Sequence, residues 1–261
     1  MRPRVPKRMT ATLFATGLSG PRQILVLPDR SILVSEPSAG RISRLVAPNP
    51  PARARAMPFL TGLDEPYGMT LRRDALYIAD LDGLWRVPYA AGDAKAQAKP
   101  QRITPEGAFD GGNGHHSRNV IWDPASDRFF VSIGSRGNIA EETAPRATIQ
   151  VFAADGSGGR TYASGLRNPI GLALQPGTGR LYTVVNERDG LGNGLVPDYL
   201  TAVRENGFYG WPYSYLGQNP QPDLADKQPD LVKAAIVPDL LFESHSAPLD
   251  LVFYNGSMFP D

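Results

Sequence analysis

The chain has 261 residues, with 27 Lys and Arg against 26 Asp and Glu and a net charge of +1, a balance that argues against a nucleic-acid or polybasic membrane binder. Hydrophobic residues at 41% and charged residues at 20% describe an ordinary globular composition, and no run approaches the roughly 18 apolar residues of a membrane helix. Cysteine is absent, which excludes disulfides, thiolate metal sites and thiol nucleophiles and leaves the redox compartment open.

Met1 to Arg8 is basic, but no apolar segment of roughly 7–15 residues follows it. The chain therefore stays inside the cell or is targeted by a segment outside this sequence. A repeat then begins. Gly17-Leu18-Ser19-Gly20-Pro21 leads into an apolar run to Leu27, a turn at Pro28-Asp29-Arg30 and a second run at Ile32-Leu33-Val34. The unit returns at Gly62-Leu63-Asp64-Glu65-Pro66, 45 residues on. A third copy runs from Arg118 through Phe152, a fourth starts at Gly165-Leu166-Arg167-Asn168-Pro169, and a fifth opens at Ala247-Pro248-Leu249. Each copy holds short β-branched and aromatic runs between Gly, Pro and Asp turns, with Gly 27 and Pro 25 making about a fifth of the chain. That pattern predicts an all-β chain, a β-propeller of four-stranded blades; a β-sandwich with accidentally similar hairpins is the alternative. Residues 1–261 read as a single propeller domain, with a loop excursion at about 197–238 that interrupts the alternation.

Three constellations carry chemistry. His115 and His116 follow a glycine-rich turn at the start of a strand, where an imidazole could face the channel and take a proton near neutral pH; a surface pair is the alternative. Arg167 and Asn168 stand at the corresponding place in the fourth copy, a cation and an amide suited to an anionic, carbonyl-bearing ligand. Glu187 and Asp189, with neighbouring loop carbonyls, suit a hard cation such as Ca²⁺, although charges between strands also serve as solvated or salt-bridged groups. Asp155-Gly156-Ser157-Gly158-Gly159 lacks the bidentate Glu of a calcium loop and reads as a hairpin turn.

The strings His115-His116-Ser117-Arg118-Asn119, Ser132-Ile133-Gly134-Ser135, Gly165 to Gly171, Asn186-Glu187-Arg188-Asp189 and Gly207-Phe208-Tyr209-Gly210-Trp211-Pro212-Tyr213 come in the order seen in soluble sugar dehydrogenases that use pyrroloquinoline quinone (PQQ). The sequence resembles their L-sorbosone dehydrogenase-like branch over residues 12 to 260. The resemblance implies a six-bladed propeller that holds PQQ and Ca²⁺ at the channel mouth and oxidises an aldose or a sugar aldehyde by hydride transfer. It makes His115 the general base, with Arg167 stabilising the charge that arrives on the quinone oxygen. Arg167, Asn168, Arg118, Glu187 and Arg188 become cofactor contacts, and Asp189 and Gly190 the metal loop. A small-molecule sugar and an external electron acceptor are the implied partners, and a periplasmic or secreted location the implied setting. A six-bladed member needs more chain than this one, which covers about four blades and the start of a fifth and reads as incomplete at its C-terminus. A Ca²⁺-dependent propeller lactonase and a non-catalytic carbohydrate-binding propeller are the competing functional readings.

Overall fold

A computed structural model describes residues 3–7, 9–46 and 53–259; Met1, Arg2 and Arg8 of the basic N-terminal stretch, and Pro260, lie outside them. Blade 1 comprises β1 (Ile24–Val26), β2 (Ile32–Glu36), β3 (Arg41–Val46) and β4 (Arg55–Thr61), and blade 2 comprises β5 (Met69–Arg72), β6 (Ala75–Ala79), β7 (Leu84–Pro88) and β8 (Gln101–Arg102). Blade 3 holds β9 (Arg118–Asp123), β10 (Arg128–Ile133), β11 (Thr148–Ala153) and β12 (Arg160–Ser164). Blade 4 starts with β13 (Asn168–Leu174), β14 (Leu181–Asn186) and β15 (Pro197–Ala202). After it come the two-residue strand β16 (Gly207–Phe208), the small hairpin of β17 (Ser214–Tyr215) and β18 (Asn219–Pro220), helix α1 (Pro229–Ala234) and β19 (Leu240–Ser244).

Strands within a blade pair antiparallel in chain order, except that β19 supplies the fourth strand of blade 4 and β16 adds in parallel to β12 as a fifth strand of blade 3. The first strands of successive blades, β1, β5, β9 and β13, touch one another in turn, which arranges the four sheets around one axis as a propeller.

The two-residue side-chain period of a strand explains this packing. On β6, Leu76 and Ile78 face blade 1, against Leu33, Ile42 and Phe59. Ala75, Tyr77 and Ala79 on the same strand face blade 3, against Phe129, Val131 and Ile133. On β10 the neighbouring Phe130 points the other way, into the layer with Leu172, Val185 and Tyr199 of blade 4. A strand buried on both faces reads as a continuous apolar run, as the sequence of β6 does. Truncating a side chain such as Leu76 to Ala costs about 2–5 kcal/mol.

The excursion is shorter than the sequence reading placed it. Pro197–Ala202 is a regular strand, with Pro at its first position, where no ladder donor is lost. Its alternation is hidden by Asp198, which is buried because its carboxylate accepts the backbone N–H groups of Glu187 at 2.8 Å and Ala247 at 2.7 Å. The segment that opens as a fifth copy contains no strand between residues 245 and 259, because no neighbouring strand meets its backbone groups. Phe253 instead packs edge-on against Tyr182 at 5.3 Å. Asp155 accepts from Ser157 in the turn between β11 and β12, as the hairpin reading requires. Among the described residues no helix is long and apolar enough to cross a membrane.

Candidate active site at the head of the central cavity

The turn before β9 is built around a buried cation. Arg118 has no exposed surface, and its Nη1 donates to the carbonyls of His115 at 2.7 Å and Ser117 at 3.0 Å. Its Nη2 donates to those of Gly111 at 2.8 Å and Phe109 at 3.3 Å. Burial, with Arg146 close by, lowers its pKa to about 9. The guanidinium shapes the loop through its two Nη atoms, and its Nε is buried without a partner. Gly114, at φ +91°, passes so close to Arg136 that a Cβ would stand 2.2 Å from its Cα, and only glycine fits.

His115, half-buried, is fixed at both ends. Its backbone N–H donates to the Ser135 carbonyl at 3.0 Å, and its Nδ1 lies 2.8 Å from the same oxygen. A carbonyl only accepts, so Nδ1 carries the hydrogen and Nε2 presents a lone pair. Burial and the neighbouring Arg167 push the imidazole pKa down to about 4, which keeps the ring neutral at pH 7. Across Gly134 stands Asn168: a Cβ on that glycine would fall 2.3 Å from Asn168 Oδ1 and 2.7 Å from His115 Cβ.

Arg167 is buried, and its guanidinium spans two blades. Nη1 donates to the carbonyls of Glu187 at 2.8 Å and Asn186 at 3.2 Å, and Nε to that of Asn138 at 3.1 Å. Asn138, absent from the sequence reading, ties the site together. Its carbonyl also accepts Trp211 Nε1 at 3.1 Å, and its amide side chain bonds both the N–H and the carbonyl of Asp189 at 2.8 and 2.9 Å. Only its place three residues after Ser135, in a quoted motif, could have signalled it.

The loop after β14 separates the remaining expected residues. Glu187 is buried, with Oε1 unpartnered, and burial raises its pKa to about 7; it faces the core near Tyr199. Arg188 folds onto the Asp189 carbonyl through Nε at 2.8 Å and Nη2 at 2.5 Å. The Asp189 carboxylate is open to solvent and meets His245 Nδ1 at 3.0 Å. Gly190 lies with Arg188 on a second cavity of about 600 Å³, walled on its far side by the excursion residues Gln221 to Lys227. His115, Arg167 and Asn168 thus converge, and Arg167 also reaches the Glu187 carbonyl at 2.8 Å and the Asp189 carboxylate at 3.9 Å, while the Glu187 side chain turns to the core and Arg188 and Gly190 line the second cavity.

On the axis lies a cavity of about 370 Å³ to which all four blades contribute, with Arg22, Tyr67, His116, Asn168 and Asn186 on its wall. Asn168 Oδ1 is buried without a partner, and its Nδ2 has a single long contact, 3.5 Å to Asn186 Oδ1. Unspent hydrogen-bonding capacity beside an open volume is the mark of a ligand site.

Residues 3–207, which include His115, Arg167 and the loop after β14, match a single protein family over more than three quarters of the chain. The chain belongs to the TrAA12-like family. This TrAA12-like chain is 24% identical over 210 residues to an uncharacterized protein of Borreliella burgdorferi, covering 76% of this chain and 54% of that one; it spans about half the length of the curated relative it matches. Among solved structures it is similar to the calcium structure of the Trichoderma reesei Carbohydrate-Active Enzymes Family AA12 protein (TM-score 0.76, 18% identity, 91% of this chain and 71% of that one). It is also similar to the holo form of the pyranose dehydrogenase PQQ domain of Coprinopsis cinerea (TM-score 0.75, 21% identity, 92% and 69%). A third similar structure is the apo form of the soluble aldose sugar dehydrogenase of Escherichia coli (TM-score 0.67, 16% identity, 93% and 78%). At these identities the likeness establishes the TrAA12-like chain as a propeller of their kind.

Proposed function

We propose that this chain carries the site of a PQQ-dependent dehydrogenase that oxidises an aldose or a sorbosone-like sugar aldehyde, with Ca²⁺ beside the quinone and an external acceptor receiving the electrons. The observation that carries the reading is His115, a neutral imidazole with Nε2 free, set across Gly134 from Asn168 and next to Arg167.

The residues present suit the cofactor. PQQ is a flat o-quinone bearing carboxylates, and it calls for donors and positive charge. Arg22, Tyr67, Asn168 and Asn186 around the axial cavity offer both, and its volume of about 370 Å³ falls in the range of about 300–1,000 Å³ usual for small-molecule sites. Among the described residues no three His, Cys, Asp or Glu side chains gather into a metal site, so the hard donors available to Ca²⁺ are main-chain carbonyls at Asn186, Glu187 and Asp189. Arg167, Arg188 and Asn138 already donate to them, so a Ca²⁺ ion held there would take the place of these donors.

When bound, PQQ accepts the hydride while Ca²⁺ polarises its carbonyl. His115 Nε2 takes the proton of the substrate hydroxyl as the C–H bond breaks, and the Nδ1–H bond to Ser135 holds the ring in the orientation that this transfer needs. Burial, with the Arg167 charge nearby, keeps the base unprotonated beforehand.

A PQQ titration with and without Ca²⁺, followed by absorbance and completed by addition of an aldose, tests the reading. Saturable, Ca²⁺-dependent binding with quinone reduction is expected. An absence of binding both in this chain and in a longer one that includes it would overturn the proposal.

A further inference from the structure

The axial cavity is also lined by a pair that the proposed chemistry does not use. His116 Nδ1 lies 2.6 Å from Glu65 Oε2, half of the His116 side chain is exposed, and both residues line the cavity. Glu65 comes from the turn before β5 and His116 from the turn before β9, so the pair bridges blades 2 and 3. Its placement is enforced by the backbone. The Gly68 N–H donates to the Arg118 carbonyl at 2.9 Å, and a Cβ on Gly68 would stand 2.4 Å from Val120 N. The two turns therefore cross in direct contact. Glu65 itself sits at φ +49°, a left-handed conformation that non-glycine residues adopt at a cost and that collects at ligand sites. Its turn is clamped by the buried Asp80, whose carboxylate accepts the Asp64 N–H at 3.2 Å.

With Nδ1 and Oε2 bonded to each other, Glu65 Oε1 and His116 Nε2 have no protein hydrogen-bond partner among the described residues, and both residues line the cavity. We propose that Glu65 and His116 form a hydroxyl-binding pair that takes two neighbouring hydroxyls of a neutral sugar and so helps to choose the substrate. A carboxylate oxygen accepts from one hydroxyl while the imidazole accepts from or donates to the next. Ser117, which also lines the cavity, extends this hydroxyl-matching surface. The assignment rests on the dehydrogenase reading only in naming a sugar as the ligand.

The test uses methyl α-D-glucopyranoside, which has no free anomeric hydroxyl to oxidise, and reads its binding to the cofactor-free chain by ligand-observed NMR. Glu65→Ala and His116→Ala are each expected to weaken binding about 10-fold or more, the loss for a hydrogen bond to a charged or charge-paired group. Glu65→Gln, which keeps an acceptor, is expected to recover part of it. Thermal midpoints and PQQ affinity stay near those of the parent chain. Unchanged sugar affinity in both alanine variants, or no sugar binding by the parent chain, overturns the proposal. So does a joint fall of sugar affinity, PQQ affinity and thermal midpoint, which would make the pair a tie between blades. Sugar binding that depends on Glu65, in a chain that never binds PQQ, would retain the pair and remove the quinone instead, so the two failures are distinguishable.

Discussion

His115 and His116 are adjacent in the chain yet belong to two different regions of the site. One ring is half-buried, held by a carbonyl and pressed by guanidinium charge; the other stands half in the open against a carboxylate. The first arrangement fixes a tautomer and keeps the ring neutral, as a proton acceptor requires. The second leaves Glu65 Oε1 and His116 Nε2 without a protein partner among the described residues, as a recognition surface requires. The partner of each imidazole, and not its place in the sequence, decides its chemistry.

The sharpest way to break this contrast is a pair of alanine variants. His115→Ala is expected to lower turnover about 10²–10⁴-fold with PQQ still bound, while His116→Ala raises KM and leaves kcat within a few-fold; equal effects on kcat would erase the distinction. The acid limb of kcat/KM should follow the free His115, falling away near pH 4, below the usual imidazole value near 6.5. Gly134→Ala comes next. The added methyl must displace Asn168 Oδ1 or His115, so the base moves relative to the amide and turnover falls about 10²-fold, the cost of roughly 1 Å of misplacement, whereas glucoside binding to the Glu65 wall is retained.

Glu187 provides a stability test of the cationic side. Its carboxyl titrates at about 7 in the fold against 4.5 when free, so the folded chain binds more protons than the unfolded chain between those values. Stability from this group is full below about pH 4.5 and is lost as pH rises through 7, by about 3 kcal/mol. Denaturant titrations of Glu187→Gln should show that this fall is gone; a parent chain whose stability is flat across that window would contradict the buried assignment. The smallest effect expected is that of Asn138→Ala, which removes two hydrogen bonds to Asp189 and costs about 1–3 kcal/mol of stability, read as a fall in thermal midpoint.

The blades were legible in the sequence because apolar runs of strand length recur between Gly, Pro and Asp turns at a nearly fixed interval. The convergence of His115, Arg167 and Asn168 was legible because each stands at the head of a first strand, where a propeller gathers its loops. The role of Arg118 in holding its own loop was not legible, because it depends on carbonyls that no spacing reveals, here those of Phe109, Gly111, His115 and Ser117. Glu65 and Asn138 escaped notice because their partners lie 51 residues away in the chain. Asp198 concealed β15 because a buried carboxylate that accepts backbone N–H groups looks, in sequence, like a solvated turn.

The parallel seam between β12 and β16 bears on how the chain folds as it is synthesised. Blade 2 finds all its ladder partners between residues 69 and 102 and can close as soon as they emerge. The outer edge of blade 3 stays bare until Gly207 and Phe208 arrive, by which time the first three strands of blade 4 have already been made, and blade 4 in turn waits for β19. The last two blades therefore mature as one late cooperative unit, and until then a bare strand edge is available to chaperones or to a neighbouring chain.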